Sequence, residues 1–333
     1  MMGGVMEVSS RDRKMNLRTI PLGRVLGIPI GVHYSWFTIL VLLTWVLAVS
    51  YYPAEFHGWS AILYWVMGAL TAILLFVAVL IHELGHAVVA SHFRVPVRGI
   101  TLYIFGGVAQ MDEEPPNAVA EFWIAVAGPL VSFALAAVLS LLQAPLSGVA
   151  PLLALTKYLA YVNGTLALFN LVPGFPLDGG RVFRAIVWAI THNLQKATLL
   201  AANLGRGISL LFVVLGVWQV IEGNIGTGLW IAFIGWFLET AARAEVRRQE
   251  IRGVLAGHYA AEAMEAEHPS MMPGARATAV RPDSELLGVL KDMDREGVAQ
   301  LPVVSNGQVL GMLTREGIMR FVRTLQEKPC YSD

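Results

Sequence analysis

The sequence predicts a polytopic α-helical membrane protein of about six transmembrane helices, with a small α/β domain at its C-terminal end. Three observations carry this. Only 14% of the 333 residues are charged and 56% are hydrophobic, whereas a soluble domain carries about 25% charged residues. Apolar stretches of about 20 residues, the length that crosses a bilayer as a helix, recur along the chain. The composition then turns polar after Arg243.

The spans follow in order. The first runs from Tyr34 to about Tyr52, and the second from Ser60 without a break to about Ser91. At about 1.5 Å per residue the second exceeds the hydrocarbon core, so it must tilt or protrude. The third covers Ala120 to Leu142, the fourth Leu152 to Leu171, the fifth Thr198 to Ile221 and the sixth Gly228 to Ala241. Arg11, Arg13, Lys14, Arg18 and Arg24 precede the first span, Arg94 and Arg98 follow the second, Arg181, Arg184 and Lys196 follow the fourth, and Arg243, Arg247, Arg248 and Arg252 follow the sixth. The intervening loops on the other side contain no Lys or Arg. Positive charge marks the cytoplasmic side, so both termini are expected there. The first roughly 30 residues lack the pattern of a cleaved signal peptide.

The expected domains are a cytoplasmic N-terminal segment at 1–30, a transmembrane domain at 31–252 and a soluble unit at 253–328. Formal net charge is zero, so no nucleic-acid partner is expected. The one cysteine, Cys330, excludes an internal disulfide and a cysteine-rich zinc site. In the soluble part, Leu286, Leu287, Leu290 and Met293 share one helical face between Glu285 and Glu296. The runs Leu301–Val304 and Val309–Leu313 read as strands joined at Asn306-Gly307, a hairpin signal.

The chemistry lies near the end of span two, in His82-Glu83-Leu84-Gly85-His86. Residues four apart on a helix share a face, so both imidazoles can reach one metal ion, with Glu83 beside them. Zinc suits two imidazoles and a carboxylate with one position left open. Three ionisable side chains here cost roughly 2.5–3.5 kcal/mol per central charge to insert into a membrane, which marks a function. The third ligand must come from elsewhere. Asp178 lies in Asn170-Leu171-Val172-Pro173-Gly174-Phe175-Pro176-Leu177-Asp178-Gly179-Gly180-Arg181, where two prolines break span four. Irregular backbone at membrane depth must be enclosed by protein or line a cavity. Two readings stay open: Asp178 aims inward as a ligand, or it caps the helix at Val182 to Ile190.

Together, H-E-L-G-H on an early span and N-x-x-P-x-x-P-L-D-G-G-R on a later one resemble the site-2 protease family of intramembrane metalloproteases, over roughly residues 20 to 250. The resemblance implies Zn2+ held by His82, His86 and Asp178, with Glu83 as general base. It also implies that Asn170 contacts the substrate or the developing oxyanion; a helix–helix hydrogen bond is the alternative. Phe105-Gly106-Gly107-Val108-Ala109-Gln110-Met111, after the apolar run Leu102-Tyr103-Ile104, matches a membrane-inserted hairpin or loop of the family. Its strand edge could pair with an unwound substrate segment; a simple cytoplasmic hairpin is the alternative. Ala127-Gly128-Pro129 matches a position where small residues let helices approach. The implied substrates are membrane-anchored proteins in a bacterial or archaeal plasma membrane. A non-catalytic membrane metal protein, such as a transporter, is the competing class, but no repeated halves are seen.

Residues from about His258 to Arg323 resemble a CBS motif, carried by Ala263-Met264, Val280–Leu286, Gly297–Val304 and Gly311–Glu316. Such motifs act in pairs that bind adenine nucleotides, and this chain has room for one. A homodimer through the motif is therefore implied. The acidic residue that often contacts the ribose three positions after the threonine is replaced by Gly317, which favours a dimerising or tethering role over nucleotide sensing.

Overall fold

The computed structural model describes residues 19–104, 106–111, 114–265, 279–305 and 308–327. They fall into two compact units, 19–245 and 246–327. Asn306-Gly307, Phe105, Cys330 and the basic residues before Thr19 lie outside the described residues.

In the first unit, α1 (Ser35–Val46) continues through a π-helical turn (Leu47–Tyr51) into α2 (Tyr52–Glu55). Then come α3 (Ala61–His92), α4 (Ala118–Leu142), α5 (Ala150–Asn170), α6 (Asp178–Thr191), α7 (Leu194–Ile221) and α8 (Ile225–Leu255). Among the described residues, six helical stretches are long and apolar enough to cross a membrane: α1 through α2, then α3, α4, α5, α7 and α8. They coincide with the six expected spans, and the protein is a polytopic integral membrane protein. Large apolar side chains such as Ile62, Leu141, Ile221 and Trp230 stand exposed on them, a surface suited to lipid. Starts are set by side-chain caps. Ser60, Asn117 and Asn193 accept the backbone N–H of Leu63, Ala120 and Lys196 at 3.2, 2.9 and 2.9 Å, satisfying N–H groups that a helix start leaves free. Gly68 lies so close to the Thr44 carbonyl and Ala48 that a Cβ there would stand 2.8 Å from the former, which lets α3 pack tightly on α1.

A four-stranded sheet in the order β1-β2-β3-β4 lies beside these helices: β1 (Thr19–Val25), β2 (Ile28–His33), β3 (Val97–Tyr103) and β4 (Gly106–Met111). Strands β3 and β4 form the hairpin expected from the sequence. The other two strands are a difference, because residues up to 30 read as an N-terminal segment without strands. Leu26 and Gly27 both have positive φ, 53° and 80°, the backbone of a two-residue hairpin turn. Ile28, Ile30 and Val32 are buried, and β2 pairs in parallel with β3, so tertiary pairing completes the signal. β4 is an outer strand and leaves one edge unpaired.

The sixth span, expected to end at Ala241, continues as one helix, α8, through the charged residues Glu245 to Arg252 to Leu255. In the second unit, α9 (Ala260–Ala263), α10 (Leu286–Glu296) and α11 (Arg315–Glu327) accompany the antiparallel pair β5 (Gln300–Ser305) and β6 (Gln308–Thr314). Bridges from Val280 to Val303 and from Glu265 to Met312 extend the sheet on both sides. Leu286, Val289 and Met293 of α10 meet Leu301, Val303, Leu313, Ile318 and Val322 in one core, as the apolar periodicity of 285–296 implies.

Candidate metal centre

His82 and His86 lie one turn apart on α3, both buried. Asp178 is the first residue of α6, and its side chain does not cap that helix. Its Oδ2 instead stands 3.2 Å from His82 Nε2 and 3.3 Å from His86 Nε2. The two Nε2 atoms are 3.2 Å apart. Among the described residues, these three side chains form a cluster able to hold a metal ion, so the inward orientation of Asp178 is the one adopted.

The hydrogen bonds behind the rings define which atoms face the cluster. His86 Nδ1 lies 2.7 Å from the Ile124 carbonyl oxygen. A carbonyl only accepts, so Nδ1 donates, and in the neutral ring Nε2 presents its lone pair. His82 Nδ1 bonds Ser132 Oγ at 2.9 Å, where Ser132 is buried on α4. The His86 Nε2 lone pair, His82 Nε2 and the Asp178 carboxylate oxygen thus converge, three atoms that one cation can share. Zinc–nitrogen bonds of about 2.0–2.1 Å at tetrahedral angles separate neighbouring ligand atoms by about 3.3 Å, and the observed triangle has that size. The donor set fits zinc.

Gly128 of α4 faces both rings. A Cβ there would collide with His86 Nε2 and Cε1 and with His82 Nε2, so only glycine leaves room for the cluster. The turn before α6 is held as closely. A Cβ on Gly180 would run into Gly174 and the backbone nitrogen of Phe175, and one on Gly205 of α7 into the Phe175 carbonyl. The Phe175 N–H also donates to the Ala201 carbonyl at 3.4 Å. The small residues around Asp178 thus bring the turn against α6 and α7.

Glu83 follows His82 on α3 and meets a different element. Its Oε2 accepts the Ala109 N–H of β4 at 3.2 Å, and Gly107 of the same strand lies against its side chain. Ala109 is opposite Ile100 in the β3–β4 ladder, and its N–H is turned to the open edge, where Glu83 takes it. Arg181, one turn beyond Asp178, reaches Met111 Sδ at 3.9 Å. Asn170 is the last residue of α5; it is half-buried, and among the described residues its side chain makes no hydrogen bond. The structure brings His82, His86 and Asp178 together and sets Glu83 beside them. Among the described residues it gives Asn170 no hydrogen bond to the cluster.

Several neighbours were not legible in the motifs. Ser132 and the Ile124 carbonyl orient the rings, and Gly128, singled out for helix packing, faces the ligands. Glu121 of α4 and Arg184 of α6 form a buried ion pair. An acid inside an apolar span is the one signal that could have drawn attention to Glu121.

The profile of peptidase family M50 matches residues 70–154 and 147–214, which include all three cluster residues. A Mycobacterium tuberculosis protein named as a zinc metalloprotease, Rip3, is 43% identical over 77% of this chain and 65% of its own length. A Synechocystis protein also named as a zinc metalloprotease is 35% identical over 83% of this chain and 76% of its own. The chain belongs to peptidase family M50, the site-2 protease family. A zinc metalloprotease of Methanocaldococcus jannaschii matches this M50 chain at 31% identity over 93% of its length and 83% of the relative's. The chain thus spans less than two thirds of the mycobacterial relative and more of the other two. A CBS domain profile matches residues 273–324, so the M50 chain carries a CBS domain in its second unit.

Proposed function

We propose that the protein is an intramembrane zinc metalloprotease that hydrolyses peptide bonds within or near transmembrane segments of membrane-anchored proteins. The observation that carries this is the convergence of His82 Nε2, His86 Nε2 and Asp178 Oδ2 within 3.2–3.3 Å of one another, with Glu83 at their side. His82, His86 and Asp178 would hold the zinc. When bound, zinc polarises the scissile carbonyl and makes water nucleophilic near neutral pH.

Glu83 is the general base. It accepts the proton of the attacking water and returns it to the leaving amine. The Ala109 N–H holds its carboxylate, and the outer edge of β4 offers an unwound substrate segment a strand to pair with. A helical substrate must unwind there, so weak helix formers near the cut favour cleavage. Asn170 contacts the substrate, a role its unspent amide allows.

The organisation that goes with this reading is an N-terminal segment at 1–30, the protease domain at 31–252 and the regulatory unit at 253–328. The Lys and Arg distribution puts both termini in the cytoplasm. The single CBS motif pairs with that of a second chain, and Gly317 makes this a dimerising contact rather than an adenine-nucleotide sensor.

The test is cleavage of a generic helical transmembrane substrate by the purified protein in detergent. Wild type should cut, and Glu83→Gln should fall by about 10²–10⁴-fold, the usual contribution of a positioned base. A zinc chelator should abolish cleavage. Equal rates for wild type and Glu83→Gln across several substrates would refute the proposal.

A further inference from the structure

The buried ion pair between Glu121 and Arg184 lies outside the cluster and takes no part in the mechanism above. Glu121 is fully buried and Arg184 is 6% exposed. Arg184 donates from Nε to Glu121 Oε1 at 2.6 Å and from Nη2 to the same oxygen. The other carboxylate oxygen, Oε2, has no hydrogen-bond partner among the described residues. Removing two charges from solvent is costly, and replacing such a pair with apolar residues is often neutral for stability. Its presence therefore asks for a reason other than holding the fold together.

The pair's place in the fold supplies one. Glu121 sits one turn before Ile124 on α4, and the Ile124 carbonyl accepts the Nδ1 proton of His86. Glu121 and the carbonyl that meets the His86 ring thus lie within one turn of α4. Arg184 belongs to α6, the helix that begins at Asp178. Its guanidinium also lies 5.3 Å from the centre of the Phe175 ring, in the turn that leads into Asp178. One end of the pair is thus fixed to the helix behind His86. The other end is fixed to the helix and turn that carry the carboxylate.

We infer that Glu121 and Arg184 are positioning residues for the metal centre: the ion pair sets the separation of α4 and α6, and with it the distance between Asp178 and the two histidines. A guanidinium held by charge-assisted hydrogen bonds fixes distance and direction together, which apolar contact does not. The inference rests on the metal-site reading given above. It assigns the pair no contact with substrate.

The experiment uses the full chain in detergent, loaded with Co2+ as a spectroscopic probe and with Zn2+ in competition with a chelator. The variants are Glu121→Gln and Arg184→Lys. Loss of a group bonded directly to a metal ligand weakens metal binding by about 10–100-fold. Glu121 bonds no ligand itself and acts through the placement of α4 and α6, so Glu121→Gln should bind zinc about 10-fold more weakly, the low end of that range, and shift the cobalt ligand-field bands, at a temperature where the far-ultraviolet circular dichroism matches wild type. Arg184→Lys keeps the charge but loses the two-nitrogen geometry, and should shift both readouts in the same direction by less; it decides the matter if Glu121→Gln does not fold. In the substrate assay the loss should appear in kcat at fixed metal occupancy, with KM unchanged. Wild-type zinc affinity and an unshifted cobalt spectrum in the folded variants, with only a lower melting temperature, would reduce the pair to a structural strut and overturn the inference. A wild-type protein that takes up no cobalt would overturn the metal reading, and this inference with it.

Discussion

The membrane unit buries His82, His86, Glu121, Asn163 and Arg184, whereas the core of the C-terminal unit is built from Leu286, Val289, Met293, Leu301, Val303, Leu313 and other apolar side chains. Among the described residues, no buried polar or charged side chain belongs to the C-terminal unit. The contrast runs against solvation cost, because polar groups are hardest to accommodate where lipid surrounds the protein. In the membrane unit His82 and His86 belong to the cluster, and Glu121 and Arg184 to α4 and α6 beside it. The C-terminal unit packs as a small soluble domain does, from sheet and helix faces of ordinary periodicity.

Substitutions in each unit sharpen that comparison. The largest expected effect is on the apolar core: Leu313→Ala should destabilise the C-terminal unit by about 2–5 kcal/mol, the usual range for truncating a buried leucine. Zinc content should stay at the wild-type level, as thermal unfolding and metal analysis of the same sample would show. Loss of metal in this variant would mean that the two units do not behave as separate cores.

Gly128→Ala tests the other side. The added methyl collides with the His82 and His86 rings, so zinc affinity should fall by about 100-fold, the upper end for disturbing a ligand's surroundings. Equilibrium competition with a chelator reads this directly. Ser132→Ala removes the hydrogen bond to His82 Nδ1 without adding bulk, and about a 10-fold loss is expected in the same titration. If the serine variant lost more than the alanine-for-glycine variant, crowding at Gly128 would not be the tighter constraint.

The smallest effect is on the surface of the C-terminal unit. A hydrogen bond with His258, and then the Tyr259 N–H, hold the Glu262 carboxyl below its ordinary value near 4.5. The folded value is the lower one, so the contact adds stability above pH 4.5 that is lost as the pH falls through the lowered value. Glu262 is fully exposed, which keeps the contribution small. His258→Ala should melt slightly below wild type at neutral pH and together with it in acid. A gap that persisted in acid would assign the effect to the packing of His258 on Phe321.

Much of this was legible in the chain because it is local. Hydropathy alone places the six spans, and the i, i+4 histidines with Glu83 name a metal site before any fold is known. The Asp178 turn shows itself by its prolines and glycines. What stayed hidden depends on contacts between distant residues. The β1–β2 hairpin reads as a polar leader because its burial comes from pairing Ile30 and Val32 with β3. Ser132 and the Ile124 carbonyl matter only once α4 crosses α3, and Glu121 needs Arg184 from 63 residues away. Asn170 shows the opposite case, since its motif position suggests a role while its side chain makes no hydrogen bond among the described residues.

The central claim is that two histidines of α3 and the first residue of α6 hold one zinc ion, and metal stoichiometry across ligand variants tests it most directly. Wild type and Glu83→Gln purified in detergent should each carry one zinc per chain. His86→Ala and Asp178→Ala should each carry little after dialysis against a mild chelator, while keeping wild-type helix content. Zinc retained at wild-type affinity by Asp178→Ala would contradict the account, because the carboxylate that α6 brings to the histidines would then not be a ligand.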